Sequence, residues 1–65
     1  MRIRVNGEPC EIAAQTLESL LTELGYESQI VATALNQDFV RAKDRNEAML
    51  SDGDAVEILA PKQGG

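Results

Sequence analysis

The chain has no histidine and no tryptophan, a single cysteine, two prolines and only two aromatic residues, Tyr26 and Phe39. Each scarcity removes a class of function. Without histidine there is no imidazole base and no imidazole metal ligand. One cysteine forms no internal disulfide and cannot supply zinc-finger spacing. Two aromatics are too few for a platform on which nucleotide bases stack. Basic residues number 6 against 11 acidic ones, a formal net charge of −5. That sign disfavours nucleic acid and anionic membranes as partners. No apolar run approaches the ~20 residues of a membrane span. The opening Met1-Arg2-Ile3-Arg4-Val5 alternates polar and apolar and has no apolar centre of a signal peptide. The expected setting is the cytoplasm, a reducing compartment, with no metal and no bound cofactor.

What is present suits one small folded domain. Sixty-five residues, 43% of them hydrophobic, hide only about 60% of the surface that the unfolded chain exposes. A large substrate cleft does not fit beside such a core, so an independent enzyme is disfavoured.

Residues 1–13 read as a β-hairpin. Asn6-Gly7 is the favoured pair for a two-residue turn in which both residues take positive φ. That turn sets Val5 opposite Glu8, Ile3 opposite Cys10 and Met1 opposite Ile12. One face then carries Met1, Ile3, Val5, Cys10 and Ile12, and the other Arg2, Arg4, Pro9 and Glu11, with Arg2 opposite Glu11. Pro9 donates no ladder hydrogen bond, which marks the second strand as an edge. Leu17, Leu20, Leu21 and Leu24 form one apolar stripe at helical spacing over 17–24. Thr16 suits the N-cap, Glu18 the positive end of the helix dipole, and Gly25 the left-handed stop. A third strand is expected over 30–36, a turn at Asn36-Gln37-Asp38, and a return strand over 39–41. Lys43 to Glu47 suggests one helical turn, Asp52-Gly53-Asp54 a tight turn, and 55–60 the last strand, with Val56 and Ile58 on one face and Glu57 and Leu59 on the other. The order β-β-α-β-β-β, with a single helix to cover one sheet face, predicts an α+β domain of the β-grasp (ubiquitin-like) kind over 1–60. Its sheet has four to five mixed strands, the first and last parallel at the centre. Residues 61–65 carry no element signal and read as a flexible tail.

The tail holds the most informative residues. Two specified positions are both glycine about 0.5% of the time, and here they are Gly64 and Gly65. The bland reading is a frayed end. The functional reading is a terminus that a partner activates. A free α-carboxylate is anionic at neutral pH and a poor electrophile, so it needs a nucleotide triphosphate and an enclosed site. Glycines thread a narrow channel because no Cβ collides with its wall. Five residues beyond Ala60 reach at most ~17 Å.

Other clusters have plainer readings beside the functional ones. Cys10 is placed inward as a small core hydrophobe rather than as a nucleophile. Asp52-Gly53-Asp54 is a turn rather than a cation loop, which needs more oxygen ligands. Arg41, Lys43 and Arg45 form a solvated loop or a docking spot for an acidic patch. Leu59, just before the tail, is an isolated surface leucine or a docking hydrophobe. Arg4 and Glu57 share its open face.

At these residues the chain resembles the ThiS family of small ubiquitin-like sulfur carriers of thiamine (thiazole) biosynthesis. The segments concerned are Val31-Ala32-Thr33-Ala34-Leu35-Asn36, Phe39-Val40, Leu50-Ser51-Asp52-Gly53-Asp54, Val56-Glu57-Ile58 and the ending Ala60-Pro61-Lys62-Gln63-Gly64-Gly65. Many members have Pro-Arg after the Phe-Val equivalent, where this chain has Arg41-Ala42. The resemblance implies that a ThiF-like enzyme uses ATP to adenylate the Gly65 carboxylate, with Gly64 and Gln63 in its channel. It implies that a persulfide donor fed by a cysteine desulfurase converts the adenylate to a thiocarboxylate, and that thiazole synthase takes the sulfur. The carrier then supplies a terminus and no catalytic residue of its own. Two alternatives are a related carrier, such as the small subunit of molybdopterin synthase or one serving another sulfuration pathway, and a TGS-like β-grasp binding module.

Overall fold

The computed structural model describes residues 1–26 and 30–60. Strand β1 (Arg2–Val5) turns at Asn6-Gly7 into β2 (Glu8–Glu11). Both turn residues have positive φ, 53° and 84°, the pattern that matches the right-handed twist of the flanking strands. The register is the expected one, Arg2 with Glu11, Ile3 with Cys10 and Val5 with Glu8.

Helix α1 (Leu17–Glu23) follows. Thr16 Oγ1 accepts from the Ser19 N–H at 3.1 Å, and Ser19 Oγ accepts from the Thr16 N–H at 3.3 Å. This reciprocal pair satisfies two donors that a helix start otherwise leaves unbonded. At the other end Leu24 is the cap and Gly25 takes φ 88°. The Tyr26 N–H donates back to the Leu21 carbonyl and the Gly25 N–H to Thr22, the bonding of a Schellman stop. Seven residues are too short for a helix that stands alone, and Leu17, Leu20 and Leu21 are buried against the sheet.

Strands β3 (Ala32–Leu35) and β4 (Asp38–Val40) form a second hairpin. Its turn residues Asn36 and Gln37 both have positive φ. The strands begin or end a residue or two from the expected limits: Ile30 and Val31 precede β3, and Arg41 follows β4. A 3-10 helix (Ala42–Glu47) covers the segment expected as one helical turn, and β5 (Ala55–Leu59) closes the sheet. The order across the five strands is β2-β1-β5-β3-β4, with β1 and β5 parallel at the centre. This is the β-grasp arrangement, and β2, which holds Pro9, is an edge as its proline requires.

The core lies between α1 and the sheet. Ile3, Leu17, Leu20 and Val56 are almost wholly removed from solvent, with Ile12, Leu21, Val31, Leu50 and Ile58 around them. Cys10 departs from its expected full burial. It packs on this core but stays half-buried, because β2 is the rim of the sheet and no further strand covers its outer side. Among the described residues, no helix is long and apolar enough to cross a membrane.

Candidate functional site

The helix covers one face of the sheet and leaves the other open. Alternation along β5 turns Val56 and Ile58 toward the helix and Ala55, Glu57 and Leu59 away from it. Register then decides which outward residues are neighbours. Leu59 lies opposite Ala32, and Glu57 opposite Ala34, which in turn lies opposite Phe39. On the other side Arg4 stands beside Ala55 and opposite Pro9, and Arg2 is opposite Glu11.

The open face therefore has two halves. Over β1 and β2 it is charged: Arg2 Nε meets Glu11 Oε1 at 3.5 Å with both side chains exposed, a pair worth little to stability. Over β3, β4 and β5 it is apolar. Phe39 is 70% exposed and Leu59 69%, and with Ala32, Ala34 and Glu57 they line a shallow depression. A second depression, lined by Ile30, Val31, Ala32, Leu59 and Ala60, continues it to the last described residue. Ile30 is 85% exposed. Large apolar side chains gathered at one end of an open face are the ordinary mark of a protein-binding surface.

The structure thus brings Leu59 and Glu57 into one patch and sets Arg4 across β5 from it. Phe39, Ala32, Ala34 and Ile30 escaped sequence reasoning. The signal for them is the outward alternation of β3, legible only once Ala34 is known to lie between Glu57 and Phe39. The expected tail residues Gln63, Gly64 and Gly65 lie outside the described residues.

Three other expectations resolve on geometry. Arg45 is neither a solvated nor a docking cation. Its Nε donates to Thr33 Oγ1 at 3.0 Å and its Nη2 to the Val31 carbonyl at 2.6 Å, partly buried. It ties the 3-10 helix to β3, and Thr33 Oγ1 passes the bond on to the Val40 carbonyl at 2.8 Å. Arg41 pairs with Asp44 at 3.1 Å. The carboxylates of the Asp52-Gly53-Asp54 turn are engaged by backbone: Asp52 Oδ1 accepts from the Arg2 N–H at 2.7 Å, and Asp54 Oδ2 from the Ser51 N–H at 2.8 Å.

Comparison with known proteins agrees with the architecture. Residues 3–65 match the profile of the ThiS family. The sulfur carrier protein ThiS of Thermus thermophilus is 39% identical over 61 residues, covering 94% of this chain and 95% of that one. A thiazole synthase from Paramagnetospirillum magneticum is 38% identical over 66 residues, which span the whole of this chain and 20% of that protein. The crystal structure of a thiamine biosynthesis protein (ThiS) from Geobacter metallireducens superposes with a TM-score of 0.79 at 32% identity over the full length of both chains. A solution structure of a thiamine biosynthesis protein from the same organism gives 0.84 at 29% identity, over all of this chain and 88% of that one.

Proposed function

Because the chain belongs to the ThiS family, the sulfur carriers of thiamine biosynthesis, we propose that its cargo is held as a thiocarboxylate on Gly65, and that it acts as a cosubstrate rather than as an enzyme. The body, residues 1–60, docks a ThiF-like adenylating enzyme, and residues 61–65 deliver the carboxylate to ATP in that enzyme's site. Attack of the carboxylate on the α-phosphate releases pyrophosphate and turns a poor electrophile into an acyl adenylate. The outer sulfur of a persulfide, itself charged by a cysteine desulfurase, then attacks the acyl carbon and expels AMP. A second thiol cleaves the resulting acyl disulfide, is itself oxidised to a disulfide with the donor sulfur, and leaves the thiocarboxylate on Gly65. Thiazole synthase is the acceptor. The similarity of this whole chain to part of a thiazole synthase supports the last step. ATP belongs to the partner, and the carrier binds no cofactor or metal. Such a route works in the cytoplasm, where thiols and persulfides stay reduced.

The observation that carries this reading is where β5 ends. Leu59 closes the strand within the apolar half of the open face, and Gly65 follows six residues later. At ~3.5 Å per residue those six span at most about 21 Å, so an enzyme seated on Leu59, Phe39 and Ala32 has the terminus within reach. Glu57 and Arg4 lie beside that footprint and steer its orientation. Gly64 and Gln63 occupy the channel, and Gly64 leaves its walls free of a Cβ.

Pyrophosphate release by the cognate adenylating enzyme with ATP tests the reading. Deleting Gly65 shortens the reach by ~3.5 Å, and Gly64→Val puts a branched side chain in the channel. Both variants should keep the thermal stability of the parent chain and lose adenylation. Adenylation of either at the parent rate would refute the assignment.

A further inference from the structure

Asn6 and Asn36 open the two hairpin turns, and each applies its side-chain amide to β5. Asn36 holds the start of the strand: its Oδ1 accepts from the Ala55 N–H at 2.9 Å, and its Nδ2 donates to Asp54 Oδ1 at 3.1 Å. Asn6 holds the end. Its Oδ1 accepts from the Ile58 N–H at 2.8 Å, and its Nδ2 donates to the Ile58 carbonyl at 3.1 Å, both partly buried. Those two bonds take the place of the acceptor and the donor that two successive inward-bonding residues of a longer parallel β1 would offer Ile58.

The backbone of β1 cannot give them. Its ladder with β5 runs only from Arg4–Ala55 to Val5–Val56, and the Asn6 N–H donates to the Val56 carbonyl at 2.8 Å before the chain turns away. The Asn6 amide thus extends the central parallel pair by two residues on β5, from Val56 to Ile58, the position before Leu59. On its other side Ile58 lies opposite Thr33 in β3. Because its own N–H and C=O both face Asn6, it is its neighbours Glu57 and Leu59, opposite Ala34 and Ala32, that stand at the hydrogen-bonding positions toward β3. The Asn-Gly turn alone does not require this contact, since glycine also adopts the φ of 53° found at Asn6.

We propose that Asn6 is a positioning residue for the terminal chemistry, an inference that rests on the reading of Gly65 as the activated end. With Ile58 held by Asn6 and its neighbours held by β3, the end of β5 is fixed beside the apolar patch, and that fixed end sets the point from which the chain runs on to Gly65. Without the amide, β5 frays from its end and the tether to Gly65 lengthens. Tether length alone lowers effective concentration only by a factor below about two. Losing the direction of exit adds to that, because placement of the reacting carboxylate is far more sensitive than its mean distance.

Asn6→Gly tests this on the full chain, with Asn36→Gly as its counterpart. Each keeps a turn compatible with positive φ and removes two side-chain bonds to β5 or its flank, so the losses of stability should be alike. The Ile58 amide should lose at least about tenfold of its protection from hydrogen exchange in Asn6→Gly and keep it in Asn36→Gly. The kcat/KM for adenylation should fall about fivefold in Asn6→Gly and stay within about twofold of the parent in Asn36→Gly. Asn6→Asp, which retains the acceptor for the Ile58 N–H and loses the donor, should fall between parent and Asn6→Gly. Equal loss of activation in both glycine variants, or parent-like activation of Asn6→Gly, would overturn the proposal. An unchanged Ile58 amide would overturn the clamp. Failure of the parent chain itself to be adenylated would remove the reading beneath it, a result distinct from all of these.

Discussion

Along β5, Val56 and Ile58 face the helix and are 1% and 3% exposed, while Leu59, one residue further on, is 69% exposed on the opposite side of the same strand. The covered face gathers the leucines of α1, Ile3, Ile12 and Leu50, and its burial supplies the main stabilisation of the fold. The open face buries little, and its apolar half sits at the end where the tail departs. In a chain too small for both a core and a cleft, alternation along each strand assigns stability to one side and leaves the other open for the docking proposed above.

Substitutions that touch one face at a time sharpen this contrast. The largest effect belongs to the covered face. Leu20→Ala removes a fully buried side chain and should cost about 3 kcal/mol of unfolding free energy in a denaturant titration; a much smaller loss would mean that the helix contributes less than its burial implies. On the open face, Leu59→Glu should weaken binding to the adenylating enzyme at least tenfold, ~1.4 kcal/mol, with the melting temperature scarcely moved. Unchanged binding in a calorimetric titration would place the docking surface elsewhere. The smallest effect is at the rim between the two. Cys10→Ala should cost about 1 kcal/mol and leave sulfur transfer intact, and loss of transfer in the folded variant would give Cys10 a chemical role.

Much of this division was legible in the sequence. The Asn6-Gly7 turn fixes the first hairpin register by itself, because a two-residue loop leaves no freedom. The leucine spacing and Gly25 bound the helix within a residue. Leu59 reads as outward from alternation alone. What stayed hidden depends on contacts between distant parts of the chain. Asn6 is 52 residues from Ile58, and its turn preference conceals its second use. Arg45 reads as one more surface cation because the 3-10 segment has no periodicity to orient it. Its guanidinium turns inward only because Thr33 Oγ1 and the Val31 carbonyl are there to receive it. Phe39 joins Leu59 only across two strand pairings. The terminal residues are the reverse case: the glycine pair is plain in the sequence, and the chemistry proposed for it belongs to a carboxylate and not to the sheet.

The most direct test of that chemistry is where the sulfur goes. The full chain is incubated with its adenylating enzyme, ATP, a persulfide donor and a thiol reductant, and the products are mapped by peptide mass spectrometry. The account predicts an oxygen-for-sulfur mass gain on the C-terminal peptide that holds Gly65, dependent on ATP and absent when Gly65 is deleted. Sulfur found on Cys10, or gained at the same rate by the chain lacking Gly65, would contradict it.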